Sequence, residues 1–238
     1  MNIVMAFSPN WADYVKVNVF AIKEHNKVDK IYLLTDGEVT GFPDVCEIVD
    51  CSELYDKYIT TRTNVTNRYT KYALYILLLP EIVKEDKVLF IDADTICTGN
   101  LTELWETDLT GYMMAGAVDT GIQPGYKGVI GLSESDSYIN SGVVLFNIPI
   151  MREKFGEIIE RANTVSYLCP DQCLLNVVAK GMIKEISNKY NSSISTGFAD
   201  DMRIIHYTGA KRPWVQGIPY WEKWYEAEKR YEIHKGLV

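Results

Sequence analysis

Two aspartates, Asp92 and Asp94, follow directly after a short apolar run at residues 88–91. A run of branched and aromatic residues of this length is typical of a strand buried on both faces of a parallel sheet. Carboxylates at the end of such a strand are costly to desolvate unless a cation or hydrogen bonds compensate their charge. Ligands of open α/β sheets bind at this edge, and carboxylate oxygens suit Mg²⁺ or Mn²⁺. One interpretation is a metal site that could neutralise a diphosphate; the alternative is a solvated turn in which the aspartates cap the next segment.

His206 is one of only three histidines, and it follows two apolar residues of a predicted strand. A neutral imidazole together with two carboxylates would make a suitable Mn²⁺ site. Lys211 and Arg212 come shortly after it and could bind a diphosphate, and Gly209 would let the backbone approach a ligand closely. The alternatives are a structural histidine and two solvated loop cations.

Further polar residues stand at predicted strand and helix starts. Asp171 and Gln172 begin a helix, where Asp171 could cap the helix and Gln172 could face a substrate. Asn140 and Ser141 precede a buried strand, and Asn10 follows the first strand; a turn and a helix cap are their alternative roles. Each signal is weak by itself, and their order along the chain is more specific.

The elements that must bring these residues together can be predicted from hydrophobic periodicity and from turn residues. The opening strand, helix and strand form a βαβ unit, and Pro80 could end or bend the second helix. Strands are predicted at 3–7, 30–35, 45–49, 88–91, 113–118, 142–146, 183–186 and 202–207. Helices are predicted at 11–24, 69–83, 101–105, 151–162 and 172–179, and loops at 52–68, 120–136 and 188–200. This pattern predicts an α/β fold with one domain over residues 1–238.

The composition is that of an ordinary globular protein, with 238 residues, 47% hydrophobic and 24% charged. A net charge of −8 argues against a nucleic-acid partner. The start lacks a basic leader, no apolar stretch reaches about 18 residues, and the five cysteines form no Cys-x-x-Cys pair. These features predict a cytoplasmic protein with reduced cysteines.

Residues 215–238 are expected to form an aromatic-rich helical extension of the domain. Its aromatic side chains could rest on the inner face of a membrane, contact a second copy of the chain, or pack onto the core. They include Trp221, Trp224, Tyr225 and Tyr231.

Four motifs in order resemble those of the retaining glycosyltransferases of family 8. They are FIDADT at 90–95, YINSGVVLFN at 138–147, PDQCLLN at 170–176 and HYTGAKRPW at 206–214. The resemblance covers about residues 2–214. It implies the GT-A fold, a single Rossmann-like domain with a mixed central sheet flanked by helices. A UDP-sugar would bind at the strand ends of this sheet.

The resemblance also implies roles for individual residues. Asp92, Asp94 and His206 would bind Mn²⁺, with Mg²⁺ as a possible substitute. Gln172 and Asp171 would be the catalytic residues at the donor sugar, with Asp171 binding sugar hydroxyls. Because an amide is a poor nucleophile, we expect front-face attack by the acceptor, with Gln172 stabilising positive charge. Substrate contacts are implied for Ala6, Ser8, Asn10, Ala93, Asp119, Asn140, Ser141, Gly209, Lys211 and Arg212.

Three departures from the family pattern bear on the donor. Ser8 stands where an acidic residue often reads the uracil, and Arg212 replaces the usual lysine before Pro-Trp. Arginine can still bind phosphate. The position of a donor-binding cation on the second helix falls at Ile76, and Lys71 or Arg68 could substitute from a nearby turn.

The resemblance implies Mn²⁺-dependent, retaining transfer of glucose or galactose from a UDP-sugar to a hydroxyl of a bacterial glycan, glycolipid or glycoprotein. A nucleotide-sugar-binding protein without transfer activity is the alternative, with Ile76 as its defect. A nucleotidyl or phosphoryl transferase would need a glycine-rich phosphate loop, and the sequence contains none. Membrane contact and homo-oligomerisation stay open.

Overall fold

The strand that precedes Asp92 is buried on both faces in the computed structural model, which describes residues 1–66, 70–209 and 217–236. It belongs to a central sheet whose neighbouring strands supply most of the polar residues singled out above. The strands are β1 (Asn2–Ala6), β2 (Lys30–Thr35), β3 (Cys46–Asp50), β4 (Lys87–Ile91), β5 (Thr95–Cys97), β6 (Met114–Val118), β7 (Ile139–Asn147), β8 (Ile183–Ile186) and β9 (Ile204–His206).

Seven of these strands form one mixed sheet in the order β3-β2-β1-β4-β7-β6-β8. The pairings are parallel except at β7, which runs antiparallel to both β4 and β6. Strands β5 and β9 form a separate antiparallel pair. The ends of β1, β4 and β6 and the start of β7 therefore meet at one edge of the sheet. The predicted α/β fold with a mixed central sheet is confirmed.

Successive residues of the central strands point into two different hydrophobic cores. In β4, Val88 and Phe90 join the core on one face, while Leu89 and Ile91 join the core on the other. This is the period of two expected of a strand. Because helices cover both faces, the strand is apolar throughout 88–91, and only Lys87 at its start is charged.

The helices are short apart from the first and the last. They are α1 (Ala12–His25), α2 (Ser52–Tyr58), α3 (Lys71–Leu74), α4 (Leu79–Ile82), α5 (Thr102–Trp105), α6 (Tyr126–Val129), α7 (Ile148–Glu153), α8 (Phe155–Thr164), α9 (Pro170–Val178) and α10 (Trp221–His234). Single 3-10 turns cover Pro9–Trp11, Tyr75–Leu78 and Asn188–Tyr190.

Several of the sequence-based assignments were wrong or incomplete. Strand β5 was not predicted, and the predicted loop at 120–136 contains α6. The predicted loop at 52–68 contains α2, which starts where the Asp50 carboxylate accepts a hydrogen bond from the Ser52 backbone at 2.8 Å. The helix expected over 69–83 is divided into α3, a 3-10 turn and α4 within the described residues, because Pro80 can occupy only a first turn without losing a bond. The predicted helix at 151–162 is two helices, α7 and α8.

The C-terminal helix α10 packs against α1. Trp224 is only 1% exposed, with its ring 6.2 Å from that of Tyr14, and the Tyr231 ring lies 5.6 Å from Phe20. Tyr225, in contrast, is 44% exposed. Packing onto the core therefore accounts for Trp224 and Tyr231. Among the described residues, no helix has the length and apolar character that crossing a membrane requires.

Candidate active site

Asp92, Asp94 and His206 converge at the edge where β1 and β4 end. The His206 Nε2 atom lies 3.6 Å from Asp92 Oδ2 and 3.3 Å from Asp94 Oδ1. One ligand atom from each of the three residues lies within 4.8 Å of the others, so the group could hold a metal ion. The oxygen and imidazole donor set suits Mn²⁺ and also accommodates Mg²⁺. The structure thus brings together the three residues that the sequence analysis proposed as metal ligands.

The electrostatics of this group favour a bound cation. Burial, followed by repulsion from Asp94, raises the pKa of Asp92 above its ordinary value of 3.8. Burial opposes protonation of His206, but the two neighbouring carboxylates outweigh it and raise the pKa of the imidazole. Both shifts report an excess of negative charge in a poorly solvated cleft. A divalent cation would relieve that excess, which is the physical reason that these residues fit a metal.

The turn that carries the two aspartates is tied to its surroundings on three sides. The Asp92 backbone N–H donates to Gly142 O at 2.8 Å, and Thr95 Oγ1 donates back to Asp92 O at 2.8 Å. Asn18 of α1 then donates to Thr95 Oγ1 at 2.7 Å. Thr95 also pairs with His206 across β5 and β9. The small β5–β9 ladder therefore brings the histidine to the aspartates.

Gly142 leaves room for the imidazole. A Cβ atom at this position would overlap the His206 ring and would also crowd Asp92 Oδ2. The residue lies in β7, beside the end of β4, where the antiparallel pairing places Val143 opposite Ile91. Glycine is needed here because the ring occupies the space of a side chain.

Gln172, Asn140 and Asp119 form a buried polar cluster beside the metal-ligand group. Gln172 Nε2 donates to Asp119 Oδ2 at 3.0 Å and to the Tyr138 hydroxyl at 3.1 Å. Gln172 Oε1 accepts from Asn140 Nδ2 at 3.1 Å and from the Ser141 backbone at 3.3 Å. Each atom of the Gln172 amide group thus has two partners, which fix its orientation.

Asp171 stands at the start of α9 next to this cluster. Its Oδ2 atom accepts a hydrogen bond from Ser141 Oγ at 2.7 Å. Burial raises the pKa of Asp171, against the lowering effect of the Ser141 hydroxyl. The N-cap of α9 is Cys169, so Asp171 lies in the first turn and not at the predicted cap position, and its carboxylate pairs with Ser141.

Asn191 joins the two groups, and the sequence analysis missed it. Its Oδ1 atom lies 2.9 Å from His206 Nδ1, and its Nδ2 atom donates to Asn140 Oδ1 at 2.9 Å. The side chain is completely buried. The one available signal was the absence of charged residues from Tyr190 to Ala199, which is unusual for a solvated loop.

The first-strand residues Ala6, Ser8 and Asn10 lie at the same edge, because β1 ends beside β4. Ala93 is buried between the two aspartates, and Gly209 is exposed just after β9 with a φ of +106°.

Ile76 is fully buried in the core and offers no cation. Lys71 forms an ion pair with Asp36, which follows β2. The structure therefore shows Lys71 beside the end of β2. Lys211, Arg212 and Arg68 lie outside the described residues.

A cavity of about 240 Å³ adjoins His206. Its lining includes Ile194, Phe198, Ile218 and Gly209. Ile194 is 67% exposed and Phe198 is 37% exposed, so apolar surface faces solvent next to the metal ligands.

An α/β protein with a mixed sheet of seven strands, flanked by helices, and three potential metal ligands at its strand ends has the architecture of a GT-A glycosyltransferase. Residues 2–217 match the model of glycosyl transferase family 8, and the chain belongs to this family. It is thereby a member of a family of glycosyltransferase enzymes, and the resemblance drawn from the four sequence motifs is confirmed.

Similar proteins occur in bacteria. A lipopolysaccharide 1,2-glucosyltransferase of Escherichia coli is 26% identical over 98% of this chain and 77% of its own length. The glycosyltransferase GlyA of Streptococcus pneumoniae is 26% identical over 94% of this chain but only 34% of its own length. The chain spans from 34% to 77% of the length of such curated relatives.

The fold is shared with a solved structure of the galactosyltransferase LgtC, determined with donor and acceptor sugar analogues. The TM-score is 0.78 at 22% identity, with both chains covered completely. At this level of identity the comparison establishes the GT-A fold.

Proposed function

We propose that this protein transfers a hexose, either glucose or galactose, from a UDP-sugar to an acceptor hydroxyl with retention of configuration. The acceptor would be a bacterial glycan, glycolipid or glycoprotein, and Mn²⁺ or Mg²⁺ would be required. The observation that carries the proposal is the convergence of Asp92, Asp94 and His206 with the Gln172 cluster at one sheet edge. A glucosyltransferase among the relatives and a galactosyltransferase with the same fold support a hexose donor.

The proposed metal site would be formed by Asp92, Asp94 and His206. When bound, a divalent ion supplies positive charge that neutralises the departing diphosphate. The protein contributes a preformed donor set, because the turn and the β5–β9 pair fix the ligands before any ion arrives. Lys211 and Arg212, assigned through the family motif, would add cationic contacts to the phosphates.

Gln172 would stabilise positive charge on the sugar in the transition state, which is oxocarbenium-like in glycosyl chemistry. Its Oε1 atom already accepts two hydrogen bonds, which makes the amide a still poorer nucleophile. This supports attack by the acceptor on the face that the diphosphate leaves. Asp171 and Ser141 would bind sugar hydroxyls, since their mutual hydrogen bond can be exchanged for bonds to a ligand.

The acceptor would approach from the apolar cavity next to His206. Ile194 and Phe198 offer exposed apolar surface there, which suits the faces of sugar rings or an apolar aglycone. This location leaves the first-strand loop with Ser8 and Asn10 for the nucleotide.

A second candidate function is nucleotide-sugar binding without transfer. It is favoured by the burial of Ile76, which leaves no cation at that position, and by the engagement of Lys71 with Asp36. The two functions differ in one observable, because only a transferase releases UDP faster when an acceptor is added.

The decisive experiment incubates the protein with a panel of UDP- and GDP-sugars, with and without Mn²⁺, and measures free nucleotide and free sugar. We expect metal-dependent release from one UDP-hexose, abolished in Asp94→Ala and retained in the surface control Asp44→Ala. Binding of a UDP-hexose without release, even when candidate acceptors are added, would favour the binding protein. No binding of any UDP-sugar would overturn both.

A further inference from the structure

A backbone N–H sets the direction of the hydrogen bonds that end at His206. The Gly142 N–H donates to Asn140 Oδ1 at 3.0 Å, and a backbone donor cannot change its role. The Asn140 carbonyl oxygen must therefore face Gly142, and its amide nitrogen must face Asp119 and Gln172. The Asp119 carboxylate accepts from that nitrogen at 3.1 Å, which is consistent with the same orientation.

The orientation of Asn191 follows from that of Asn140. Because Asn140 Oδ1 is an acceptor, Asn191 must present its Nδ2 atom there and its Oδ1 atom to His206. A carbonyl oxygen can only accept, so His206 Nδ1 must carry a proton. The Nε2 atom is then left to face Asp92 and Asp94, with its lone pair available when the imidazole is neutral.

Burial protects this chain of bonds from water. Asn191 is 0% exposed, and Asn140 and His206 are each 6% exposed. An amide left unpaired at such a depth would carry its full desolvation penalty, so the bonds are strongly held. Through Asn140 the chain reaches Gln172, which the family motif assigns to the donor sugar, and Asp119, which it assigns to the acceptor side.

We propose that Asn191 is a positioning residue that holds His206 as the Nδ1–H tautomer and couples the metal-ligand group to the Asn140–Gln172 cluster. Asn191 itself contacts neither metal nor donor. The inference rests on the proposed function for the identity of the ion and the donor. The tautomer of His206 rests only on hydrogen bonds within the chain.

Two substitutions of Asn191 distinguish the effect of its hydrogen bond to His206 from that of its hydrogen bond to Asn140. Asn191→Leu keeps the branched shape of the side chain and removes both bonds, leaving His206 without its acceptor. We expect Mn²⁺ affinity, measured by titration calorimetry, to fall about 10- to 100-fold, the range typical for loss of a partner behind a metal ligand. Asn191→Asp keeps an acceptor for His206 Nδ1 but cannot donate to Asn140. It should restore most of the Mn²⁺ affinity while kcat with the UDP-sugar stays below that of the wild type.

The matched control is Asn26→Leu. Asn26 follows α1 at the opposite edge of the sheet, where its side chain binds three backbone groups, those of Ile22, Gly99 and Leu101. This variant should lose stability without losing Mn²⁺ affinity. If Asn191→Leu does not fold by circular dichroism, Asn191→Ala replaces it with the same expectation.

The tautomer can be read directly from the nitrogen shifts of ¹⁵N-labelled histidine, because the chain has only three histidines. In the Mg²⁺-loaded wild type, His206 should show a protonated Nδ1 and a metal-bound Nε2, and metal-free protein at high pH should show the same protonated Nδ1. A proton on Nε2 in the neutral ring would overturn the proposal, as would equal Mn²⁺ affinity in wild type and Asn191→Leu. Failure of the wild type to bind Mn²⁺ would instead remove the metal from the proposed function, and the tautomer of the metal-free protein would still decide the role of Asn191.

Discussion

The imidazole of His206 occupies the space that a side chain on Gly142 would fill. The same glycine accepts a hydrogen bond from the Asp92 backbone and donates one to Asn140. Gly142 of β7 therefore contacts Asp92, His206 and, through Asn140, the buried polar cluster. These contacts leave no room for a side chain at position 142 of β7.

Gly142→Ala should remove metal binding while leaving the fold in place. The added methyl group would displace the His206 ring, and we expect Mn²⁺ affinity to fall by at least about 10²-fold. Overpacking at this site should cost about 1–3 kcal/mol of the free energy of unfolding. Calorimetry with Mn²⁺ and thermal unfolding measure the two effects. Gly128→Ala is the control, since a methyl group there meets no atom within 4 Å; unchanged Mn²⁺ affinity in Gly142→Ala would contradict the contact.

Mn²⁺ should stabilise the protein more at about pH 8 than at about pH 6. Burial and Asp94 raise the pKa of Asp92 above 3.8, so the metal-free fold loses stability as the pH rises from that ordinary value toward the raised one. Burial opposes protonation of His206, yet the carboxylates raise the pKa of the imidazole above 6.5. The stability that its protonated form contributes is therefore lost as the pH rises through that higher value.

Deprotonation of Asp92 and of His206 thus lowers the stability of the metal-free fold at higher pH. A metal ion that binds the deprotonated side chains offsets this loss of stability. Thermal unfolding in Mn²⁺ and in EDTA measures the difference at each pH. The Asp94→Ala variant should show no Mn²⁺-dependent shift at either pH. A larger shift at the lower pH in the wild type would disprove this account.

Gln172→Ala should slow transfer by on the order of 10²-fold without abolishing it, because the residue stabilises charge and forms no bond to the sugar. Initial rates with the UDP-hexose measure the change, and UDP-sugar binding should persist. Complete loss of transfer with intact donor binding would instead indicate a covalent role. Mass spectrometry of the protein with donor alone would then detect a glycosylated residue.

Phe198→Ser should raise the KM for the acceptor by on the order of tenfold, equivalent to about 1.4 kcal/mol of lost apolar contact. Metal-dependent hydrolysis of the donor should be unaffected, since Phe198 lines the cavity beside His206 that is proposed for the acceptor. The control is Ile233→Ser, an equally apolar position that is 63% exposed on α10. A change in donor KM with an unchanged acceptor KM would place the donor in the cavity.

The sequence-based predictions were most accurate where a hydrophobic pattern and the residues that could do chemistry lie side by side in the chain. The apolar run before Asp92 marks a strand buried on both faces, and the ligands Asp92 and Asp94 follow it immediately. His206 could be joined to them only through the family motif, because nothing local reveals that β9 pairs with β5. The strand assignments were correct for the central sheet. Its inner strands, such as β1 and β4, contribute apolar residues to both cores, whereas the edge strands β3 and β8 are partly exposed.

The failures have equally specific causes. Helix α2 was missed because the side chains that it packs against the core are two tyrosines and one leucine. Tyr55, Tyr58 and Leu54 are only partly buried and stand among polar residues. Asn191 was missed because its role depends on contacts with Asn140 and His206, which are distant in sequence. Lys71 could be nominated for the donor, but no local pattern indicates its ion pair with Asp36.

Strand β7 enters the site, whereas β1 and β4 leave it. A slip of one residue against β4 would move Ser141 into the place of Gly142, against the histidine ring, and would turn Asn140 away from the cluster. Molecules with that error could not assemble the ligand set and would gain nothing from a divalent ion. Metal uptake would therefore act as a check on the alignment of the sheet, favouring correctly paired molecules as they fold.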